Sequence, residues 1–239
     1  MSCIININRY LIPNDVITVL SNIYKYIGKN ETYESTVGND INRIIEQTIE
    51  RDCYFLAKIL KLEITETRMR LIITKDSTPR NKNETTLYNA KEILKSFQFN
   101  HHDLTTQSND LINLINYIYT SQNIKFDYEQ VDKKEILRSQ SMRSKRIILD
   151  DINEEVNRIL DKEAFETIVL YLHYFIDFYN IEPFTENNET ASLMLLYLLM
   201  FKANIYSFKY ISFFELIYLD LDNFHQELKN ACFNWKEGL

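Results

Sequence analysis

Residues 163–181 read EAFETIVLYLHYFIDFYNI, and residues 188–204 read NETASLMLLYLLMFKAN. In the first, Phe165, Ile168, Val169, Leu170, Leu172, Phe175, Ile176 and Phe178 leave little polar face. The second is equally greasy. Helices that are apolar on most sides are buried ones, so these two form the centre of a bundle and the fold class is all-α.

The flanking segments are also helical in spacing. Residues 150–160 and 222–232 are amphipathic. Upstream, 15–27 place Val16, Leu20, Ile23 and Ile27 on one face, with Gly28 as a stop. Residues 40–62 carry Ile41, Ile44, Ile45, Ile49, Cys53, Leu56, Ile59 and Leu60 along one long amphipathic helix. Residues 64–74 continue that helix or form a second one, and 75–84 are a polar connector containing Pro79. Further helices are expected over 86–97 and 110–120, the latter with Leu111, Leu114, Ile115 and Ile118 as its stripe. Residues 133–146 differ, with six basic side chains, one acid, and Ile136-Leu137 and Ile147-Ile148 flanking a Ser-rich turn. They read as a short hairpin or as an exposed basic loop.

Composition narrows the function. Of 239 residues only 3 are Gly and 3 Pro, too few turn formers for a sandwich or barrel. The 3 Cys residues lack a CxxC spacing, which argues against a disulfide framework or zinc site and suits a reducing, cytoplasmic setting. With 27 basic against 34 acidic side chains, the chain has no cation excess with which to release counterions from nucleic acid. The longest apolar run, residues 193–201, is far below the roughly 20 residues of a bilayer span, so no membrane partner is expected. His101-His102 and His225 lack a metal-binding spacing, and His173 reads as a core or near-core histidine with one satisfied nitrogen.

The polar loop between the two central helices carries the chemistry: Glu182, Pro183, Phe184, Thr185, Glu186, Asn187, Asn188, Glu189 and Thr190. A helix N-terminus there offers unpaired N–H groups and the positive end of the peptide dipole. With Phe178 and Ile181 ahead of it, the run resembles the Fic (Fido) signature F-x-x-I-H-P-F-x-[DE]-G-N-G-R-x-x-R. Leu62-Glu63-Ile64 with Thr67, Arg68 and Leu71 is similar to the family's I-E-G-x-x-T-x-R-x-x-L segment, and Leu87-Tyr88-Asn89-Ala90 looks like the N-Y that follows it. Leu221 to Leu228, then Asn234-Trp235-Lys236-Glu237-Gly238, resemble the closing Y-Y-x-A-L … W-x-E-G pattern.

The resemblance implies a Fic/Fido-like helical bundle over 99–239, preceded by a helical region over 1–98. Its members transfer AMP from ATP to a hydroxyl of a target protein, which docks along a flap hairpin, here 133–146. It also implies roles for the loop: Glu182 at the catalytic His position, Glu186 as the Mg²⁺ ligand, and Phe184, Asn187 and Asn188 against the nucleotide. Glu63 stands where some members carry an inhibitory Glu.

The departures carry a physical cost. The His position is Glu182, the glycine positions are Asn187 and Glu189, and the arginine positions are Thr190 and Leu193. Glycines let backbone amides approach an anion at left-handed angles. Glu189 competes with phosphate for the helix dipole, and loss of both arginines removes charge-assisted bonds to a polyphosphate. Against its catalytic role, each residue has a plainer one. Glu182 is a solvated loop carboxylate, Glu186 a helix-capping acid, and Asn188 an amide that ties down the loop. Asn187 and Glu189 favour the start of the next helix, and Glu63 is a surface helix charge without an arginine partner. The leading expectation is therefore a catalytically impaired Fic-like protein that works by binding another protein. The alternatives are an active transferase using Glu182 and Glu186 with an unusual nucleotide or phospho-substrate, and a structural or regulatory helical protein.

Overall fold

The computed structural model describes residues 2–9, 11–129, 143–233 and 235. Among them are ten α-helices and no strand: α1 (Asn14–Val37), α2 (Ile41–Ile59), α3 (Glu66–Lys75), α4 (Lys82–Asn100), α5 (Ser108–Ile118), α6 (Lys145–Asp161), α7 (Thr167–Ile181), α8 (Asn188–Lys202), α9 (Phe213–Leu219) and α10 (Leu221–Ala231). The all-α reading stands. No helix of the described residues is long and apolar enough to cross a membrane.

Local chemistry sets half of the described helix starts. Thr65, Asn81, Ser144 and Ser212 each accept a backbone N–H of the first turn that follows, at 3.4, 2.9, 3.3 and 3.1 Å. Glu166 accepts two, from Ile168 and Val169. Asn81 explains why α4 starts ahead of the expected 86–97, and Ser144 why α6 starts ahead of 150. Ile147 and Ile148, read as β-leaning, therefore lie in a helix. Gly28 does not stop α1, which runs on to Val37. The stop is Gly38, whose φ of 60° lets its N–H close on the Glu34 carbonyl. The short α9 was not anticipated.

The chain forms two compact units, neither contiguous in sequence, and passes from the first to the second within α8. The first holds Met1–Ile7, Thr105–Leu196 and Glu227–Leu239. Its core comes from α5, α6, α7 and the first half of α8, with Ile115, Leu149, Tyr174, Phe178 and Phe184 almost fully buried. Tyr174 donates its hydroxyl to Asn153 Oδ1 at 2.7 Å, tying α7 to α6. Asp177, also on α7, is wholly buried and accepts from Ser2, the Cys3 and Ile4 amides and the Trp235 indole.

The second unit holds Asn8–Leu104 and Tyr197–Gln226. Here α2 packs against α3, α4 and α9. Its buried positions Ile45, Ile49, Cys53, Leu56 and Ala57 follow the helical period. A second buried carboxylate, Asp52, accepts from the Tyr197 hydroxyl (2.7 Å), the Ser212 hydroxyl (2.7 Å) and the Phe214 amide (3.0 Å). It thereby anchors the start of α9. Arg68 on α3 grips Glu84 with two bonds at 3.0 and 2.7 Å. That pair holds the Glu84 carboxyl down at about 2.

Residues 190–201 of α8 are buried at every position, as expected of a central helix. In α7 burial is one-sided: Leu172 is exposed and His173 half-buried, with His173 Nδ1 at 2.8 Å from the Val169 carbonyl.

Candidate functional site

The loop 182–190 belongs to the first unit, between the end of α7 and the start of α8. Glu182 ends α7 in the left-handed conformation, φ 46° and ψ 67°, with its N–H on the Phe178 carbonyl. That geometry turns the chain sharply and leaves the Glu182 side chain in solvent. Phe184 then drops into the core, 2% exposed, with its ring beside Phe126 and Phe178.

Asn188 closes the loop. Its Oδ1 accepts the Phe184 N–H at 2.9 Å, and its Nδ2 donates to the Phe184 carbonyl at 2.7 Å. One amide thus satisfies both backbone groups of a buried residue. Asn187 carries the second left-handed angle, φ 59°, at a glycine position of the Fic-like run. Asn tolerates that region better than most side chains, so the turn forms without a glycine. Its carbonyl accepts the first helical bond, from Ala191, and its amide donates to Gln122. Glu189 does not need a left-handed angle, because it lies in the first turn of α8.

An extended segment docks on the loop. The Thr185 N–H donates to the Lys125 carbonyl at 2.9 Å and the Asp127 N–H to the Pro183 carbonyl at 2.9 Å, with an antiparallel bridge between Phe126 and Phe184. The same segment pairs on with 143–145: Glu129 N–H to the Arg143 carbonyl, Lys145 N–H to the Asp127 carbonyl, and a bridge between Tyr128 and Ser144. Residues 133–142 of the expected hairpin, like Asn234 and residues 236–238 of the closing pattern, lie outside the described residues. Lys145 Nζ reaches both Asp127 Oδ2 (2.8 Å) and the Glu182 carbonyl (3.0 Å), and this pairing holds the Asp127 carboxyl below its ordinary value.

The remaining positions divide clearly. Thr190 and Leu193, at the arginine positions, are 2% and 4% exposed and face the core, with Thr190 Oγ1 at 2.8 Å from the Tyr119 hydroxyl. Glu182, Glu186 and Glu189 are exposed. Glu63 lies in the second unit, exposed, in the unwound connection between α2 and α3 rather than on a helix. No group of three or more His, Cys, Asp or Glu able to hold a metal ion occurs among the described residues, and Glu186 belongs to none.

No family model and no curated protein matches the chain.

The site therefore has to be judged on its own chemistry, and its residues do not fit a magnesium-bound polyphosphate. The Phe184 amide is spent on Asn188 and the Thr185 amide on Lys125, Thr190 and Leu193 are buried, and Lys145 is occupied. Two exposed carboxylates, Glu186 and Glu189, flank the start of α8, where they complement the helix dipole but repel an anion, and a third, Glu182, stands exposed at the end of α7. Tyr119, Gln122, Asp127 and Lys145, which shape the loop, stand 37 or more positions from the loop residues they bond and carry no motif of their own.

Proposed function

We propose that the chain is a Fic-like helical protein that has given up nucleotide transfer and acts by binding another protein. The observation that carries this reading is the burial of Thr190 and Leu193. Neither side chain carries a cation, and an arginine at either place would have to push a guanidinium into packed side chains, so the loop has no room there for a phosphate clamp. The loop bonds add to it. Asn188, Tyr119 and the 125–127 segment use the polar groups of the turn to rigidify it, the opposite of a cradle left open for an anion. The partner contact is assigned to the basic stretch 133–146, whose residues 143–145 pair with 127–129 next to the loop. A rigid turn there serves as a base for that stretch.

Isothermal titration with Mg²⁺ and ATP, GTP or CDP-choline tests the first half, with no saturable heat expected. Micromolar affinity that disappears in Glu186→Ala would sink this reading in favour of the active-transferase alternative. For the second half, charge reversal at Lys133, Lys134 and Arg138 should abolish capture of one stoichiometric partner from the native host. Glu63→Ala should leave it unchanged.

A further inference from the structure

A pocket of about 580 Å³ opens in the second unit. Ile23 and Ile27 of α1, Ile44 of α2, and Ile205 and Ile211 form its apolar walls. Its volume lies within the roughly 300–1,000 Å³ typical of small-molecule sites, which combine apolar walls with a few placed polar groups. Among the described residues Glu34 is the one charged side chain lining it.

Glu34 is held in place. The Tyr210 hydroxyl donates to its Oε1 at 2.5 Å, and the Asn30 amide donates to the same oxygen at 3.2 Å. Both donors use Oε1, which leaves Oε2 without a bond among the described residues. An ionised carboxylate only accepts, so the complement to Oε2 is a donor. Bonds to a cationic donor are about twice as strong as neutral ones, while an anion would be repelled.

We propose that this pocket binds an amphiphilic cation, an apolar body carrying a protonated amine that donates to Glu34 Oε2. The isoleucine walls remove the body from water, and Tyr210 and Asn30 orient the carboxylate in advance, so little ordering remains to be done on binding. The site is independent of the loop 182–190, and each can fail without the other.

Titration with octylammonium, octanol and octanoate, followed by calorimetry and amide chemical shifts, tests it. All three share one chain, so the head group alone separates them. Octylammonium should bind roughly tenfold tighter than octanol, the gain expected of one charged bond, and octanoate should bind weakest. Glu34→Gln keeps the acceptor for Tyr210 and removes the charge. It should bring octylammonium down to the level of octanol. Ile27→Trp, a half-buried position, should fill the space and abolish binding of all three, with Ile23→Trp as a second filler if the first disturbs the circular dichroism. The proposal is overturned if no probe binds saturably, if octanoate matches octylammonium, or if Glu34→Gln changes nothing. It also falls if sedimentation shows a dimer that Ile27→Trp breaks, because a second copy would then occupy the pocket.

Discussion

The Asp177 carboxylate, buried in the middle of α7, accepts the Trp235 indole N–H at 2.7 Å. The same carboxylate accepts the Cys3 and Ile4 amides at 2.6 and 2.9 Å and the Ser2 hydroxyl. Among the described residues four donors and no lysine or arginine reach it, so residues 2–4 and Trp235 are fastened to α7 by one side chain.

Removing that side chain leaves buried donors without partners, each worth about 1–3 kcal/mol. Asp177→Ala should therefore cost about 3 kcal/mol or more in urea unfolding. Asp177→Asn should cost less, since only its NH2 meets a donor. The chain has 1 Trp, so its fluorescence reports directly: both variants should shift emission to the red in the folded state. A destabilised variant with unchanged emission would show that the bond to Trp235 contributes nothing.

Burial raises the Asp52 carboxyl from its ordinary 3.8 to about 6, against the bonds from Tyr197 and Ser212 that lower it. The folded state then holds the proton more tightly than the unfolded one. Stability from this group is full below pH 3.8 and is lost as pH rises through 6. The loss is on the order of 3 kcal/mol. Asp52→Asn should abolish the dependence, so the gap between variant and parent should move in the variant's favour from pH 4 to pH 6 and stay constant above. Urea midpoints at pH 4.5, 6 and 8 measure it.

His101 acts in the opposite sense. It is 3% exposed, with Nδ1 at 3.2 Å from the Phe97 carbonyl, Nε2 unpaired among the described residues, and its ring stacked on Phe201. Burial, with help from His102, lowers it from 6.5 to about 4. Stability from the neutral ring is present above pH 6.5 and lost as pH falls through 4. The two groups offset each other between pH 4 and 6, so the parent should show a nearly flat profile there. His101→Phe should expose the Asp52 slope. A parent profile steeper than either variant would contradict this.

Glu182 sits at φ 46°, a region that costs a side chain with a Cβ about 1 kcal/mol or more. If its carboxylate does no chemistry, Glu182→Gly should stabilise the protein by about 1 kcal/mol in thermal or urea unfolding.

Asn188→Ala should cost about 2 kcal/mol, because the Phe184 N–H and carbonyl lose their partner together. Asn188→Asp keeps the acceptor and should recover about half. Equal loss in both variants would show that the donor half of the bond, to the Phe184 carbonyl, carries the effect.

The difference between what was readable and what was not follows from the range of the forces. The apolar spacing of α2 and α8 and the sparse Gly and Pro content are local properties, and they point to an all-α chain. The loop 182–190 also announced itself, since a polar interruption between two greasy helices is a pattern within one short window. Its stops were harder: Gly28 and Gly38 look alike in sequence, and only Gly38 has the positive φ that ends a helix. Nor does the sequence of α9 reveal it. Its seven residues are too few to hold a helix unaided, and its first turn depends on Asp52, 162 positions away from Phe214. The same applies to Tyr119 against Thr190 and to Lys145 against Glu182.

The sequence by itself determined the helical class, the burial of the helix over 188–204 and the acidic character of the loop, because each is written in neighbouring side chains. Only the tertiary structure decided where Asp52 and Asp177 find their donors, that Thr190 and Leu193 face inward, and that Glu34 fronts an apolar pocket. Such facts depend on groups far apart in the chain whose contact becomes favourable only after packing has excluded water from around them.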